Sequence, residues 1–354
     1  MSEEKNAFNF LRLAAALAVL VSHNFAILGQ REPSTATGHT LGAIAVLVFF
    51  SISGYLVTQS LGRSSSLKSF AIKRGLRIYP GLIAALVFCA FMMGPLLTTL
   101  PLDVYFKTDT TWRLILRFFG FAGEDRLPGV FEHNPYPTKV NASLWTIKHE
   151  LICYAILASV GAVFRVFGSR AVKVGVFPTI VVLVTTILIL ASMAGLSTGG
   201  LVGSWVGTRL SPEIDFFLSN FFGFAAAFFL AAHFAQSESS VWSNPIAVAV
   251  ACLILVASFL FQQVAPFVPA AVCVVSLWAA VSLPRQFRLL AQGRDWSYGV
   301  YIYAFPIQQA TVSVAGASFG YLGTLVVSGI VTLLLAALSW HFVEQPALAL
   351  KRRF

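Results

Sequence analysis

The sequence predicts an all-α, polytopic membrane protein: one membrane-embedded domain over residues 1–354, built from about ten transmembrane helices. Three observations predict it. Hydrophobic residues make up 57% of the chain and charged residues only 11%, less than half the roughly 25% usual in soluble proteins. The mean hydropathy is +0.80. Stretches free of Asp, Glu, Lys and Arg recur along the chain, each long enough to supply the roughly 20 apolar residues that cross a hydrocarbon core of about 30 Å. Too few charges remain to cover a soluble surface, and so apolar a chain does not stay disordered.

The elements follow in order. Residues 7–28 form the first span, which carries Arg12 and His23. Its stretch 14–21 imitates the core of a signal peptide, but His23 and Asn24 follow at once with no small-x-small cleavage site, so the span is read as retained. Residues 41–61 form the second span and 78–102 the third, preceded by a basic segment over 68–77. Residues 98–142 make an outer loop containing Pro101, Pro128, Pro135 and Pro137. Within it, 111–121 sets Trp112, Ile115 and Phe119 against Arg113 and Arg117, the pattern of an interfacial helix. Residues 143–164, 174–208 and 216–237 hold a span each. Residues 239–284 hold two, interrupted by Gln262, Gln263, Pro266 and Pro269, and 296–343 hold two more, broken near 316–320.

The net charge of +10 in a soluble protein would suggest nucleic acid, but the basic residues scatter over short loops and form no single face. An even number of spans puts both termini on one side. That side then holds 16 of the 24 Lys and Arg residues, and the positive-inside rule makes it cytoplasmic. Cys89, Cys153, Cys252 and Cys273 all fall inside apolar spans, as small core residues rather than a disulfide or metal set. No metal site, Gly-rich phosphate loop or internal repeat is visible.

Ionisable groups inside spans are costly and mark candidate sites. Arg12 and His23 are eleven residues apart, within about 20° of three full helical turns, so they share a helix face roughly 16.5 Å apart. An imidazole there can act as a base and a guanidinium can hold an anion; a structural His and a snorkelling Arg are the plain alternative. Glu150 and Tyr154 are i, i+4 neighbours, and a carboxylate near His23 would orient the imidazole. A solvated Glu at a helix start explains Glu150 equally well. Arg74 and Arg77, at i, i+3, suit a phosphate or pyrophosphate, or serve as ordinary cytoplasmic anchors. Ser53 beside Gly54, and Ser297 with Tyr298, line a polar cavity or support close helix packing and an aromatic belt.

The order of these motifs resembles the acyltransferase-3 family of integral membrane acyltransferases. The resemblance rests on Arg12 with His23; Phe49, Phe50, Ser53 and Gly54; Arg74 and Arg77 followed by Ile78, Tyr79 and Pro80; Ser143, Leu144, Trp145, Glu150 and Tyr154; Ser297, Tyr298 and Gly299; and a terminal Phe342, Val343, Glu344, Gln345 and Pro346. It implies an O-acyltransferase of a bacterial inner or plasma membrane that moves an acyl group, most often acetyl, from acyl-CoA to a hydroxyl of a carbohydrate such as a surface polysaccharide. Acetyl-CoA would then be a co-substrate, with no tightly bound cofactor. His23 would be the general base and Glu150 the second catalytic residue. Arg12 would support the donor end, Arg74, Arg77 and Tyr79 would hold CoA, and Ser53, Trp145, Tyr154, Ser297 and Tyr298 would line the pocket. The chain departs from the family's frequent double Glu after the Trp motif, since Leu151 follows Glu150, and no hydrolase-like domain is expected after Phe354. The alternative is a multispan transporter or flippase of a glycan or small anion, against which the lack of similarity between 1–170 and 180–354 counts.

Overall fold

The computed structural model describes residues 6–116, 125–167, 183–184, 186–187, 211–236, 241–290 and 293–353. Among these, the regular elements are helices, with one isolated bridge between Ser34 and Thr40. In chain order the α-helices longer than five residues are α1 (Phe8–Ile27), α2 (Leu41–Gly62), α3 (Leu67–Phe88), α4 (Leu102–Lys107), α5 (Asp109–Leu116), α6 (Trp145–Phe167), α7 (Pro212–Gln236), α8 (Pro245–Ala257), α9 (Val268–Ser282), α10 (Arg285–Leu290), α11 (Ser297–Ala315) and α12 (Gly320–Ser339).

Six stretches among the described residues are long and apolar enough to cross a bilayer: Phe8–Ile27, Leu41–Gly62, Leu67–Leu97, Pro212–Gln236, Gln262–Ser282 and Gly320–Arg353. Helix α8 is apolar, but its 13 residues rise only about 20 Å. Helices α6 and α11 have 23 and 19 residues, with polar side chains spread through them. The span expected at 174–208 lies outside the described residues apart from four positions. The break near 316–320 is where it was expected: α11 ends at Gly316 (φ 77°) and α12 starts at Gly320 (φ 76°), two backbone conformations that favour glycine.

The third span differs from its expected bounds. It starts at Leu67 and runs as one 31-residue stretch to Leu97, so the basic segment is helix rather than a loop before a helix. At about 46 Å it exceeds the hydrocarbon thickness, which lets its basic first turns stand beyond the apolar core. Inside it, Cys89–Met93 forms a π turn. Tyr105 of α4 explains the widening: its hydroxyl donates to the Ala90 carbonyl at 2.7 Å, and a Cβ on Gly94 would lie 2.0 Å from that hydroxyl oxygen. The interfacial helix also shifts. Helix α5 starts at Asp109 and buries Thr111 and Leu114, while Trp112 is exposed and meets Phe91 edge-on; Phe119 lies outside the described residues.

Contacts divide the chain into two compact units: Met1–Arg12, Ser34–Leu67 and His149–Leu290 in one, and Leu13–Pro33, Lys68–Lys148 and Ala291–Phe354 in the other. Lipid tails are as apolar as Leu side chains, so helices inside a membrane associate through close packing at small residues. In the first unit, Gly54 of α2 provides this: a Cβ there would sit 2.0 Å from the Phe228 carbonyl oxygen of α7. One turn earlier, Phe50 stacks on Phe224 at 4.6 Å. Phe8, Ile52, Tyr55, Ala231, Cys273, Leu277 and Ala280 form its buried cluster. In the second unit, Gly299 of α11 lets Ala336 of α12 approach, since a Cβ would lie 2.8 Å from the Ala336 Cα.

Candidate active site

Helix α1 carries Arg12 and His23 without interruption, as their spacing requires. Phe305 of α11 meets the His23 ring edge-on, with centroids 5.3 Å apart. His23 Nδ1 is buried and has no hydrogen-bond partner among the described residues. The α1 turns beside it are held on both sides by polar groups. Gln308 Nε2 donates to the Leu20 carbonyl at 2.8 Å and to Asn24 Oδ1 at 3.2 Å. Asn24 Nδ2 donates to the Tyr321 carbonyl at 2.9 Å, and the Tyr321 hydroxyl donates to the Val21 carbonyl at 2.9 Å. Ser22 donates to Glu32. Helix α1 is thereby fixed in rotation at the level of its imidazole.

A second cluster joins α3 to the start of α11. Arg77 donates through Nη2 to Asp295, with side chains 12% and 10% exposed. Ser297, fully buried, donates to the other oxygen of the same carboxylate. The Arg77 guanidinium also lies 5.9 Å from the centre of the Tyr298 ring, whose hydroxyl donates to the Ile78 carbonyl at 2.8 Å. Gly81 makes room for this: a Cβ would come within 2.9 Å of the Tyr298 ring and 3.3 Å of Glu344 Cγ. Glu344 is buried in a π turn, Trp340–Glu344, and accepts from Ser339 at 2.9 Å. Arg74 and Tyr79 are half-buried on α3, on either side of Arg77 in sequence.

The chain leading into α6 is fastened along α11. Tyr301 donates to the Ser143 carbonyl at 2.8 Å and shares a 2.6 Å hydrogen bond with Thr146, one residue after the half-buried Trp145. Asn141 donates to the Ile302 carbonyl. Gln309 donates to the Tyr136 and Lys139 carbonyls, and Asn134 donates to Gln309. Phe131 (φ 60°) and Thr138 (φ 65°) hold left-handed conformations that such anchoring must compensate. Tyr136 meets Phe305 edge-on at 5.8 Å, so the Phe305 ring touches the outer loop as well as His23.

The first unit holds the remaining residues. Ser53 of α2 donates to Glu150 Oε1 at 2.8 Å, and Tyr154, one turn along α6, donates to the same oxygen. Glu150 thus accepts two side-chain hydrogen bonds and is half-buried. His149 is buried and stacks on Phe217 at 4.4 Å, which makes it a packing residue. Arg12 is half-buried.

The structure therefore brings together Arg77, Ser297 and Tyr298 in one unit, and Ser53, Glu150 and Tyr154 in the other. The α1 turns around His23 have partners that sequence reasoning missed: Gln308 on Leu20 and Asn24, and Tyr321 on Val21 and Asn24. Screening spans for ionisable residues passes over amides, although two adjacent glutamines in an apolar helix were a visible signal. Asp295 was missed too, and only its place beside Ser297 could have marked it. Among the described residues, no group of three or more His, Cys, Asp or Glu side chains is placed to hold a metal ion.

Comparison with known proteins identifies the family. The family profile described as an acyltransferase domain matches residues 5–341. An O-acetyl transferase of Shigella phage Sf6 is 32% identical over 346 residues, covering 97% of this chain and 96% of that protein. Nodulation protein 10 of Rhizobium leguminosarum bv. viciae is 29% identical, covering 99% of this chain and 95% of its own length. The peptidoglycan O-acetyltransferase OatA of Listeria monocytogenes is 23% identical, over 95% of this chain and 54% of that protein. No solved structure matches significantly.

Proposed function

Because the chain belongs to the acyltransferase-3 family and is a multi-pass membrane O-acyltransferase, we propose that it transfers an acetyl group from acetyl-CoA to a hydroxyl of a carbohydrate, such as a surface polysaccharide or its precursor. The observation that carries the proposal is His23: an imidazole inside a membrane helix, its ring held by Phe305 and its helix turn by three hydrogen-bonding side chains. An ionisable group that costly inside a span is a functional candidate.

In this reading His23 Nε2 takes the proton from the acceptor hydroxyl as the oxygen attacks the thioester carbonyl carbon. The C–S bond then breaks, and the CoA thiolate recovers that proton. Arg74 receives the CoA phosphates from the cytoplasmic side, with Tyr79 as a further donor contact and Arg12 supporting the donor end. Arg77, engaged by Asp295, holds the turn of α3 that aims Arg74. Glu150, loaded by Ser53 and Tyr154, serves the catalytic step from its own cluster, and Trp145, Ser297 and Tyr298 shape the pocket. Tyr136 gives the outer loop an aromatic surface for a sugar, through the same Phe305 that touches His23. Both termini are cytoplasmic in a bacterial inner membrane, as the distribution of basic residues favours.

Purified protein incubated with radiolabelled acetyl-CoA and a panel of surface glycans tests the proposal. Label appearing on a glycan in step with CoA release supports it. CoA release without labelled glycan would make the protein a thioester hydrolase, and neither product would return it to transport.

A further inference from the structure

Among the described residues, His23 Nδ1 of α1 and Gln308 Oε1 of α11 are buried and have no hydrogen-bond partner. One is a nitrogen that must carry a hydrogen whenever Nε2 acts as a base; the other is an amide oxygen that can only accept. Gln308 is fully buried. Its amide orientation is assigned by its partners, because Nε2 donates to the Leu20 carbonyl and Asn24 Oδ1 and thereby turns Oε1 away from both acceptors. Leu20 and Asn24 bracket His23 on α1, and Phe305, three residues before Gln308 on α11, touches the imidazole. Gln308 thus bonds the α1 turn that carries His23, from the same helix as the ring that touches the imidazole. A buried amide in a membrane span costs free energy unless both its ends are used, and here one end remains open.

We propose that Gln308 is the positioning residue of His23. Its Nε2 locks the α1 turn that carries the imidazole. Its Oε1 receives the Nδ1–H bond when Nε2 takes the acceptor's proton, fixing the tautomer and sharing the positive charge of the ring. An amide can fill the orienting role that a carboxylate fills in a Ser-His-Asp triad. The ionisable groups packed nearest on this face, Glu32 on Ser22 and Tyr321 on the Val21 carbonyl, are engaged on neighbouring residues rather than on the imidazole. The inference rests on the acyl-transfer reading for its kinetic arm only.

Two substitutions separate orientation from packing. Gln308→Met keeps the length and removes both hydrogen-bonding ends; Gln308→Glu keeps an acceptor oxygen and weakens the donor end. The prediction is a kcat loss of roughly 10- to 100-fold for Gln308→Met, part of the 10²–10⁴ that general-base catalysis contributes, with the KM for acetyl-CoA unchanged. Gln308→Glu should recover kcat to within about tenfold of the parent protein. Equal kcat for Gln308→Met and the parent, or equal losses for the two variants, would overturn the proposal.

A second measurement needs no turnover. Diethyl pyrocarbonate acylates a neutral imidazole, and the His23 peptide is followed by mass spectrometry with His23→Ala protein as background. Loss of an Nδ1–H acceptor makes Nε2 less basic, so modification of His23 in Gln308→Met should slow several-fold. Loosened packing alone would speed it up, and that result refutes the orienting role even if the parent protein proves to have no acyl-transfer activity.

Discussion

Removing the Arg77 guanidinium tests how α3 uses its two arginines. In Arg77→Ala, the buried Asp295 carboxylate loses its guanidinium partner and keeps Ser297 among its donors. Breaking a buried ion pair by deleting one partner costs roughly 3–5 kcal/mol, because the remaining charge is left uncompensated. The stacking of Arg77 on Tyr298 adds about 0.5–1 kcal/mol. Against a total stability of about 5–15 kcal/mol, this is a large fraction. At roughly 2–4 °C per kcal/mol it lowers the apparent melting temperature by on the order of 10 °C. The assay is thermal unfolding in detergent, followed by fluorescence and size exclusion, on Arg77→Ala, Asp295→Ala and the double variant. Both single variants should melt early, and the double variant should recover most of the loss, since removing both partners strands no charge. The reasoning is refuted if Arg77→Ala melts with the parent protein while its KM for acetyl-CoA rises more than about tenfold. Arg77 would then be a donor ligand and its pairing with Asp295 incidental.

Three further outcomes follow from particular residues. Gly54→Ala should lower the yield of folded protein sharply, because its Cβ would lie 2.0 Å from the Phe228 carbonyl oxygen and backbone must move; overpacking costs about 1–3 kcal/mol or more, and size-exclusion profiles of the tagged protein will read it. Glu150→Gln should cut kcat at least about tenfold with the protein still folded, and wild-type kcat in that variant would remove Glu150 from the reaction. His39, in the loop before α2, is held below the ordinary imidazole value of 6.5 by burial. The unfolded chain therefore binds the extra proton first, and stability should fall as pH drops below about 6.5. His39→Gln should flatten that decline in thermal unfolding between pH 7 and 5.

Six of the expected spans were legible, because bilayer thickness sets helix length and excludes charge. The Gly316–Gly320 break could be read the same way, from residues that tolerate positive φ. Extension of α3 back to Leu67 was not legible, since a basic helix standing beyond the membrane core leaves no apolar window. Neither was the π turn at Cys89–Met93, which depends on Tyr105 arriving from another element. The site divides likewise. His23, Glu150, Arg77 and Ser297 announced themselves as polar groups in or beside apolar helices. Their partners did not: Arg77 and Asp295 are 218 residues apart, and Gln308 lies 288 residues from Leu20. Only folding pairs such residues, and one sequence carries no record of it.

Acyl transfer by His23→Ala protein tests the central claim most directly. Parent and variant are purified in the same detergent, matched for folded fraction, and given radiolabelled acetyl-CoA with the glycan that the parent protein acetylates. Transfer should fall at least about 100-fold, the lower bound of a general base's contribution, with donor KM little changed. Full acyl transfer by the variant would contradict it and leave α1 with a structural histidine.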